Sequence, residues 1–184
     1  MENKAHEDQS SAVAVFSDHA GAENAIRKLK NSGFDITKLS ILGKDFNSED
    51  NVVGIYGAGD RLKYWGKMGA FWGGMWSLLP GSAFLIVPGI GPVVIAGPVA
   101  TWIVSALEGA VFVEGVSPLG AGLVSLGISK DKALKCESSM KAGKFLLILH
   151  GTYTDAIKAR NTLESTAAEE IDIHQMPPEP ARVG

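Results

Sequence analysis

The chain has 184 residues, enough for one domain with an insertion or for two small domains. Its formal net charge of −3 excludes the strongly basic composition of a typical nucleic-acid-binding protein. Its single cysteine, Cys136, excludes an internal disulfide framework and a zinc site built from cysteines. The polar residues 1–11 lack an apolar core, so we expect a disordered tail there and not a secretory signal.

Residues 12–50 predict a strand, a helix and a second strand. The apolar run Ala12–Phe16 is typical of a strand, and Ser17 and Asp18 after it can cap the start of a helix. Apolar residues then recur at helical spacing and form one face: Ala22, Ala25, Ile26 and Leu29. A second strand follows at Leu39–Leu42.

A long uncharged segment dominates the middle of the chain. Residues 51–60 predict a glycine-rich linker without the spacing of a dinucleotide-binding loop. Residues 61–128 form an apolar, glycine-rich insertion, in which the forty residues Met68–Leu107 contain no Asp, Glu, Lys or Arg. Such a run lies either in lipid or under other protein, and this choice decides the class of protein.

The insertion predicts two helices joined by a tight reversal. Arg61–Val87 and Val93–Gly115 each exceed the roughly 20 residues that cross a bilayer. Pro80 and Pro98 interrupt these arms, so a re-entrant hairpin stays open beside a spanning one. Basic residues on both flanks place both termini in the cytoplasm. The reversal is formed by Pro88, Gly89, Gly91 and Pro92.

Small residues recur every four positions in both arms, as in a glycine zipper. This pattern favours close contact between helices and therefore a homo-oligomer. The sequence leaves open whether the contacts lie within one hairpin or between subunits. The residues predicted to pack are Gly66, Gly69, Ala70, Gly73, Gly74, Ser77, Gly97, Thr101, Ser105 and Gly109.

Three ionisable residues are predicted within the membrane or at its surface. A hairpin folded about Ile90 brings Glu114 level with Lys67, which predicts an ion pair near the cytoplasmic surface. Glu108 would lie near Trp72, whose indole N–H could donate to the carboxylate. A proton or cation relay through Glu108 is the alternative.

Residues 129–176 predict a helix and a second β-α-β unit, before a tail at 177–184. Two β-α-β halves predict an α+β fold, a ferredoxin-like split βαβ sandwich whose strands 2 and 3 flank the insertion. The predicted elements are a helix at Ser129–Ala142, a strand at Phe145–Leu149, a helix opening at Thr154 and Asp155, and a strand at Ile171–Gln175.

No arrangement of residues predicts catalysis or a bound ion. The sequence lacks a phosphate-binding loop, HExxH, GxSxG and any nucleophile–base set. His150 and His174 could approach across the sheet, but two isolated histidines are more typical of a surface than of a metal site. We therefore predict no enzyme activity, no catalytic residue, no cofactor, no metal and no small-molecule substrate.

The motif Pro88-Gly89-Ile90-Gly91-Pro92, followed by Ala96-Gly97-Pro98, resembles the centre of a known family. This is the bacterial general stress protein family of small membrane-annotated proteins, grouped as a domain of unknown function. The resemblance covers nearly the whole chain, including Ala14-Val15-Phe16 and Leu126-Gly127-Ile128-Ser129. It implies stress-linked expression, and no established activity, substrate or cofactor.

Two functions follow from these observations. The first is a non-enzymatic, stress-associated membrane protein, anchored in the lipid bilayer and oligomerised by the glycine-rich hairpin, with its α+β domain in the cytoplasm. The alternative is a soluble, self-assembling structural protein in the cytoplasm, a ring, tube or shell in which apolar hairpins bury one another. The mean hydropathy of +0.12, low for a membrane protein, keeps the alternative open.

Overall fold

The computed structural model describes residues 9–44, 74, 78–79, 81–108 and 113–175. Eleven strands and helices lie in these ranges, and a short 3-10 helix, Ile36–Lys38, precedes the second strand. In chain order they are β1 Gln9–Phe16, α1 His19–Asn31, β2 Leu39–Lys44, β3 Ser82–Val87, β4 Gly91–Ala96, α2 Val99–Glu108, α3 Pro118–Ser125, α4 Lys130–Lys141, β5 Phe145–Thr152, α5 Tyr153–Leu163 and β6 Glu170–Gln175.

The fold is α+β, with one six-stranded sheet in the order β3-β4-β2-β5-β1-β6. Every neighbouring pair is antiparallel. Five α-helices accompany the sheet in the described part of the chain. The predicted α+β class with antiparallel strands is therefore confirmed. The ferredoxin-like arrangement and the nature of the insertion are finer predictions than this fold class.

Helices cover both faces of the sheet because successive strand residues point to opposite sides. On the first face, Ala12, Ala14 and Phe16 of β1 pack with the buried sides of α1 and α5. On the second face, Val13 and Val15 pack with residues of α2, α3 and α4. Two apolar cores, one on each face, hold the layers together.

Side-chain caps begin the two helices of the first face. The Asp18 carboxylate accepts from the Gly21 backbone N–H at 2.7 Å and caps α1. Thr152 and Asp155 form a reciprocal capping box at the start of α5. Each cap satisfies N–H groups that the first turn of a helix leaves without a partner. The predicted helix start at Ser17 and Asp18 is confirmed, whereas the second helix begins at Tyr153, one residue before the predicted Thr154.

The predicted helical hairpin is wrong in the part that the structure describes. The segments Ser82–Val87 and Val93–Ala96, assigned to the two helical arms, instead lie in paired strands. The reversal lies where the sequence predicts it, with Gly89 at φ 82° and Gly91 at φ 101°, conformations that glycine adopts without steric cost. Because β4 also pairs with β2, the hairpin extends the main sheet.

The composition of these segments explains the correction. Short apolar runs rich in Val, Ile and Phe, bounded by Pro and Gly, favour strands over helices. Strand β4 is buried on both faces, Val93 and Ile95 on one and Val94 and Ala96 on the other. A strand buried on both faces has no position for a charge. The uncharged run thus reflects burial under protein here.

The structure also contradicts the predicted membrane anchor. In the described ranges, no helix combines the length and the apolar character needed to cross a bilayer. The helix that follows Gly97 and Pro98, α2, has ten residues, whereas a span needs about 20. The membrane-anchored protein and the membrane localisation predicted from the hairpin are therefore wrong.

One predicted boundary differs from the structure, and several predicted segments lie outside the described residues. Strand β1 begins at Gln9, so residues 9–11 belong to the sheet and not to the predicted tail. Residues 1–8, the linker 51–60 and the tail 177–184 lie outside the described residues, as does most of the predicted first arm.

Candidate functional site

The predicted helix-packing residues that the structure describes do not pack between helices of one chain, and contacts between subunits stay a prediction. Thr101 and Ser105 are exposed on α2, and a Cβ at Gly74 would meet nothing within 4 Å. Gly97 follows β4 and lies in no helix. The others, for which the prediction stays untested, lie outside the described residues: Gly66, Gly69, Ala70, Gly73, Ser77 and Gly109.

Gly97 is a glycine for a different reason. Its φ is 112°, and a Cβ there would lie 2.3 Å from the Leu39 carbonyl oxygen and 2.6 Å from the Ser40 Cα. Its N–H donates to the Gly81 carbonyl at 2.9 Å. Two residues later, the Val99 N–H donates to Ser40 Oγ at 3.0 Å. Gly97 therefore lets the end of the hairpin and the start of α2 lie against β2.

The predicted roles of Glu108 and Glu114 within a membrane depend on the helical membrane hairpin, which the structure contradicts. Glu108 ends α2 and Glu114 lies in the following turn, and both are exposed. Their predicted partners, Lys67 and Trp72, lie outside the described residues.

Close packing of helices at glycine does occur, but on α3. A Cβ at Gly120 would lie 2.2 Å from Oε1 of Glu137 on α4, and one at Gly122 would lie 3.2 Å from Cγ1 of Ile103 on α2. Neither residue is among those predicted from the sequence to pack between helices. The signal was available, since both lie in a short apolar segment that follows Ser117-Pro118, a typical helix start.

The two edges of the sheet differ in charge. At the β6 edge, the Lys132 ammonium from α4 lies 2.7 Å from Asp172 and 3.0 Å from Glu170. The hydrogen bonds to Asp172 and then to Glu170 raise the pKa of Lys132, so it stays charged. Charged side chains on an edge strand disfavour pairing with another chain. The β6 edge is therefore protected.

Among the described residues, the β3 edge carries no such charged side chain. Its sequence, Ser82–Val87 (SAFLIV), contains no charge. β3 pairs with β4 along one side, and the described residues place no strand on the other. The Ile86 side chain is 77% exposed, while its neighbour Val87 is buried. We call this strand the apolar edge. Its outward N–H and C=O groups can pair with a further strand.

A second feature joins Ser11, Trp102 and His150, here called the His150 cluster. Ser11 of β1 lies opposite His150 of β5 and opposite His174 of β6 in the strand register. The side chains of Ser11, His150 and His174 therefore share the second face of the sheet, with Ser11 between the two histidines. No group of three His, Cys, Asp or Glu in the described ranges could hold a metal ion.

The imidazole of His150 is held as a neutral ring. Among the described residues, neither of its nitrogens has a hydrogen-bond partner, and Ser11 Oγ has none either. The Trp102 indole stacks over the ring at a centroid distance of 6.0 Å and an angle of 12°. Burial lowers the pKa of His150 to about 4. A catalytic base needs an orienting partner and a pKa near the working pH, and His150 has neither here.

The thiol of Cys136 is equally unsuited to catalysis. Burial raises its pKa to about 11, so the reactive thiolate is scarce at neutral pH. A cavity of about 10 Å³, room for one water, lies beside it and is lined by Lys132, Cys136 and His174 among others. No organic substrate fits this space.

Comparisons of the chain with protein-family models, with curated proteins and with solved structures find no match in any of the three. The resemblance to the general stress protein family therefore stays a prediction from the sequence motif.

Proposed function

We propose that this chain is a non-enzymatic structural protein that associates with copies of itself through the apolar edge, Ser82–Val87. This is the self-assembly alternative of the sequence analysis, with a hairpin of strands in place of a hairpin of helices. The resemblance of the proline–glycine motif adds the proposal of stress-linked expression. The observation that carries self-association is the 77% exposure of Ile86 on an uncharged edge strand.

The contrast in charge between the two edges of the sheet supports the proposal that the β3 edge pairs with another strand. Lys132, Glu170 and Asp172 keep the β6 edge charged. Exposed apolar edges favour aggregation, and proteins commonly place charges on edges that must not pair. An uncharged β3 in the same sheet therefore favours a pairing edge.

A second copy is the occupant that fits this edge best. Two β3 strands running antiparallel about a two-fold axis each supply the N–H and C=O groups that the other needs. Because the contact is two-fold, each apolar side chain in it is buried in both copies. Burying Ile86 contributes about 1.5 to 3 kcal/mol per copy. Backbone hydrogen bonds and apolar burial between two copies are therefore enough for β3 to pair, and a partner of complementary charge is not needed.

We further propose that β1, α1, β2, β5, α5 and β6 form a ferredoxin-like unit and that the remaining elements are its insertion. The spatial order β2-β5-β1-β6, with α1 and α5 on one face, supports this assignment. The insertion then has two roles. Its hairpin extends the sheet to the apolar edge, and its helices cover the second face.

Sedimentation velocity over a range of protein concentrations tests the proposal. We expect the wild type to associate, and Ile86→Lys to lower the association constant by about 100-fold or more, since two buried apolar side chains are replaced by charges. Tyr153→Lys is the matched control, because this residue of α5 is 47% exposed and lies away from β3. A monomeric wild type, or equal loss of association in both variants, would contradict the proposal.

A further inference from the structure

We infer that His150 and Trp102 form an acid-sensitive latch, in which the Trp102 indole covers His150 and moves away when His150 is protonated. The latch does not depend on self-association, because β4 and β2 separate β5 from the apolar edge.

Trp102 is placed over His150 by the first turn of α2. The helix starts at Val99, whose N–H donates to Ser40 Oγ on β2 at 3.0 Å. Val99 and Ile103 are buried on the second face. Trp102, beside Ile103, lies on His150 with one side of its indole toward solvent, since 45% of the residue is exposed. Trp102 is thus a cover between His150 and water.

The neutral imidazole suits this environment and the imidazolium does not. An imidazolium has two N–H donors and needs two acceptors. Ser11 Oγ, the unpartnered hydroxyl that faces His150 from β1, offers one uncharged acceptor. Burial alone accounts for the lowered pKa of His150. Protonation therefore leaves a buried charge without compensation.

The neighbouring carboxylates are either paired with lysines or exposed to solvent. Lys38, just before β2, lies 3.4 Å from the Asp155 carboxylate. On β6, beyond Ser11, burial lowers the pKa of His174, and the nearby Asp172 binds Lys132 at 2.7 Å. Glu108 of α2 lies six residues past Trp102, about 9 Å along the helix, and is exposed. None of these side chains supplies His150 with a carboxylate.

A protonated His150 ring must therefore become exposed to water. The Trp102 indole covers the side of the ring from which water can reach it. The sheet closes the other side of His150, whereas the indole is already partly solvated. Displacing it exposes only the part of Trp102 that is still covered, because 45% of the residue is already exposed. The Ser40 bond to Val99 and the buried Ile103 do not involve Trp102. The opening is thus a local change at Trp102 and its turn, with the sheet intact.

Fluorine NMR of the full chain labelled with 5-fluorotryptophan tests the latch between pH 7 and pH 3.5. Trp102→Phe assigns the Trp102 resonance. We expect that resonance to shift and to gain a solvent isotope effect with a midpoint at about pH 4 to 5, together with the titration of His150. His150→Phe, which keeps a ring beneath the indole, should abolish the change, and His174→Gln should retain it.

Three results would overturn the inference. The first is a Trp102 resonance that stays constant while His150 titrates. The second is a transition that persists in His150→Phe or disappears in His174→Gln. The third is loss of the far-ultraviolet circular dichroism signal at the same midpoint, because the change would then be unfolding of the whole chain and not a local opening.

Discussion

The Glu137 carboxylate on α4 accepts hydrogen bonds from the backbone N–H of Ser117, at 2.7 Å, and from its hydroxyl, at 2.5 Å. Ser117 is the N-cap of α3, so a buried negative charge lies at the positive end of that helix. Glu137 is 5% exposed, and Gly120 leaves it room because a Cβ there would meet its Oε1. The contact ties α3 to α4 over the second face.

Glu137→Ala should lower the free energy of unfolding by about 2 kcal/mol, because it leaves the Ser117 N–H buried without its acceptor. Urea denaturation at neutral pH measures the change. Ser138→Ala, on the exposed side of the same helix, is the control and should cost less than about 0.5 kcal/mol. Equal small effects in the two variants would show that the cap does not stabilise the fold.

Gly97→Ala should destabilise the chain by about 3 kcal/mol or more, since it combines an unfavourable φ with a Cβ 2.3 Å from backbone. Gly89→Ala is the matched control. Its φ is also positive, at 82°, but a Cβ there meets nothing within 4 Å, so about 1 kcal/mol is expected. Thermal or urea unfolding compares the two variants. Similar costs would contradict the close approach of Gly97 to β2.

The stability of the fold should fall as the pH drops from 7 to 5. The pKa of His150 is about 4 in the folded chain against 6.5 as a model value, so the unfolded state takes up the proton first. This group contributes its full stability above pH 6.5 and loses it progressively down to about pH 4. Between pH 7 and pH 5 the expected loss is about 2 kcal/mol.

Urea denaturation of the wild type and of His150→Phe at several pH values checks this slope. The variant should lose markedly less stability over the same interval, with a remainder from His174, whose pKa burial also lowers. Parallel curves for the two proteins would exclude His150 as the source of the pH dependence.

Cys136 should react with a thiol reagent at pH 8 about 100-fold more slowly in the folded chain than in urea. Burial raises its pKa from 9.0 to about 11, which reduces the thiolate fraction by about two orders of magnitude. Absorbance of the released thiol dye measures both rates. Comparable rates would mean that the packing of α4 on the sheet does not bury the thiol.

The strands and helices outside the insertion could be predicted because their local signals agree. Asp18 caps α1 next to a clear apolar face, and Thr152 with Asp155 caps α5. Gly143 ends α4 with φ 79° immediately before β5. In each case a capping residue, a helical period and a short apolar strand indicate the same boundary.

The insertion could not be predicted because burial by lipid and burial by protein leave the same uncharged composition. Val93–Ala96 reads as part of a long apolar helix if the whole run is taken together. Taken between Pro92 and Pro98, it is a short β-branched run, and the structure makes it a strand. The proline boundaries were informative, but the length of the uncharged run outweighed them.

The His150 cluster is formed by residues that are far apart in the sequence, so no local sequence pattern predicts it. His150 and Ser11 are 139 positions apart and meet only because β5 pairs with β1. Trp102 reaches them because Gly97 turns the chain back over β2. The sequence indicated that His150 and His174 could face each other across the sheet, but not that Ser11 would lie between them.

Pairing of the apolar edge with a second copy is the central claim, and amide hydrogen exchange of the peptide covering Ser82–Val87 tests it most directly. The measurement compares protein concentrations below and above the association observed by sedimentation. The account predicts that exchange in this peptide slows by about tenfold or more as the protein associates, because outward N–H groups gain partners. Exchange in Ile86→Lys, and in the Glu170–Gln175 peptide of the wild type, should not change. Exchange at Ser82–Val87 that is independent of concentration, or slowing at Glu170–Gln175 in its place, would contradict the account.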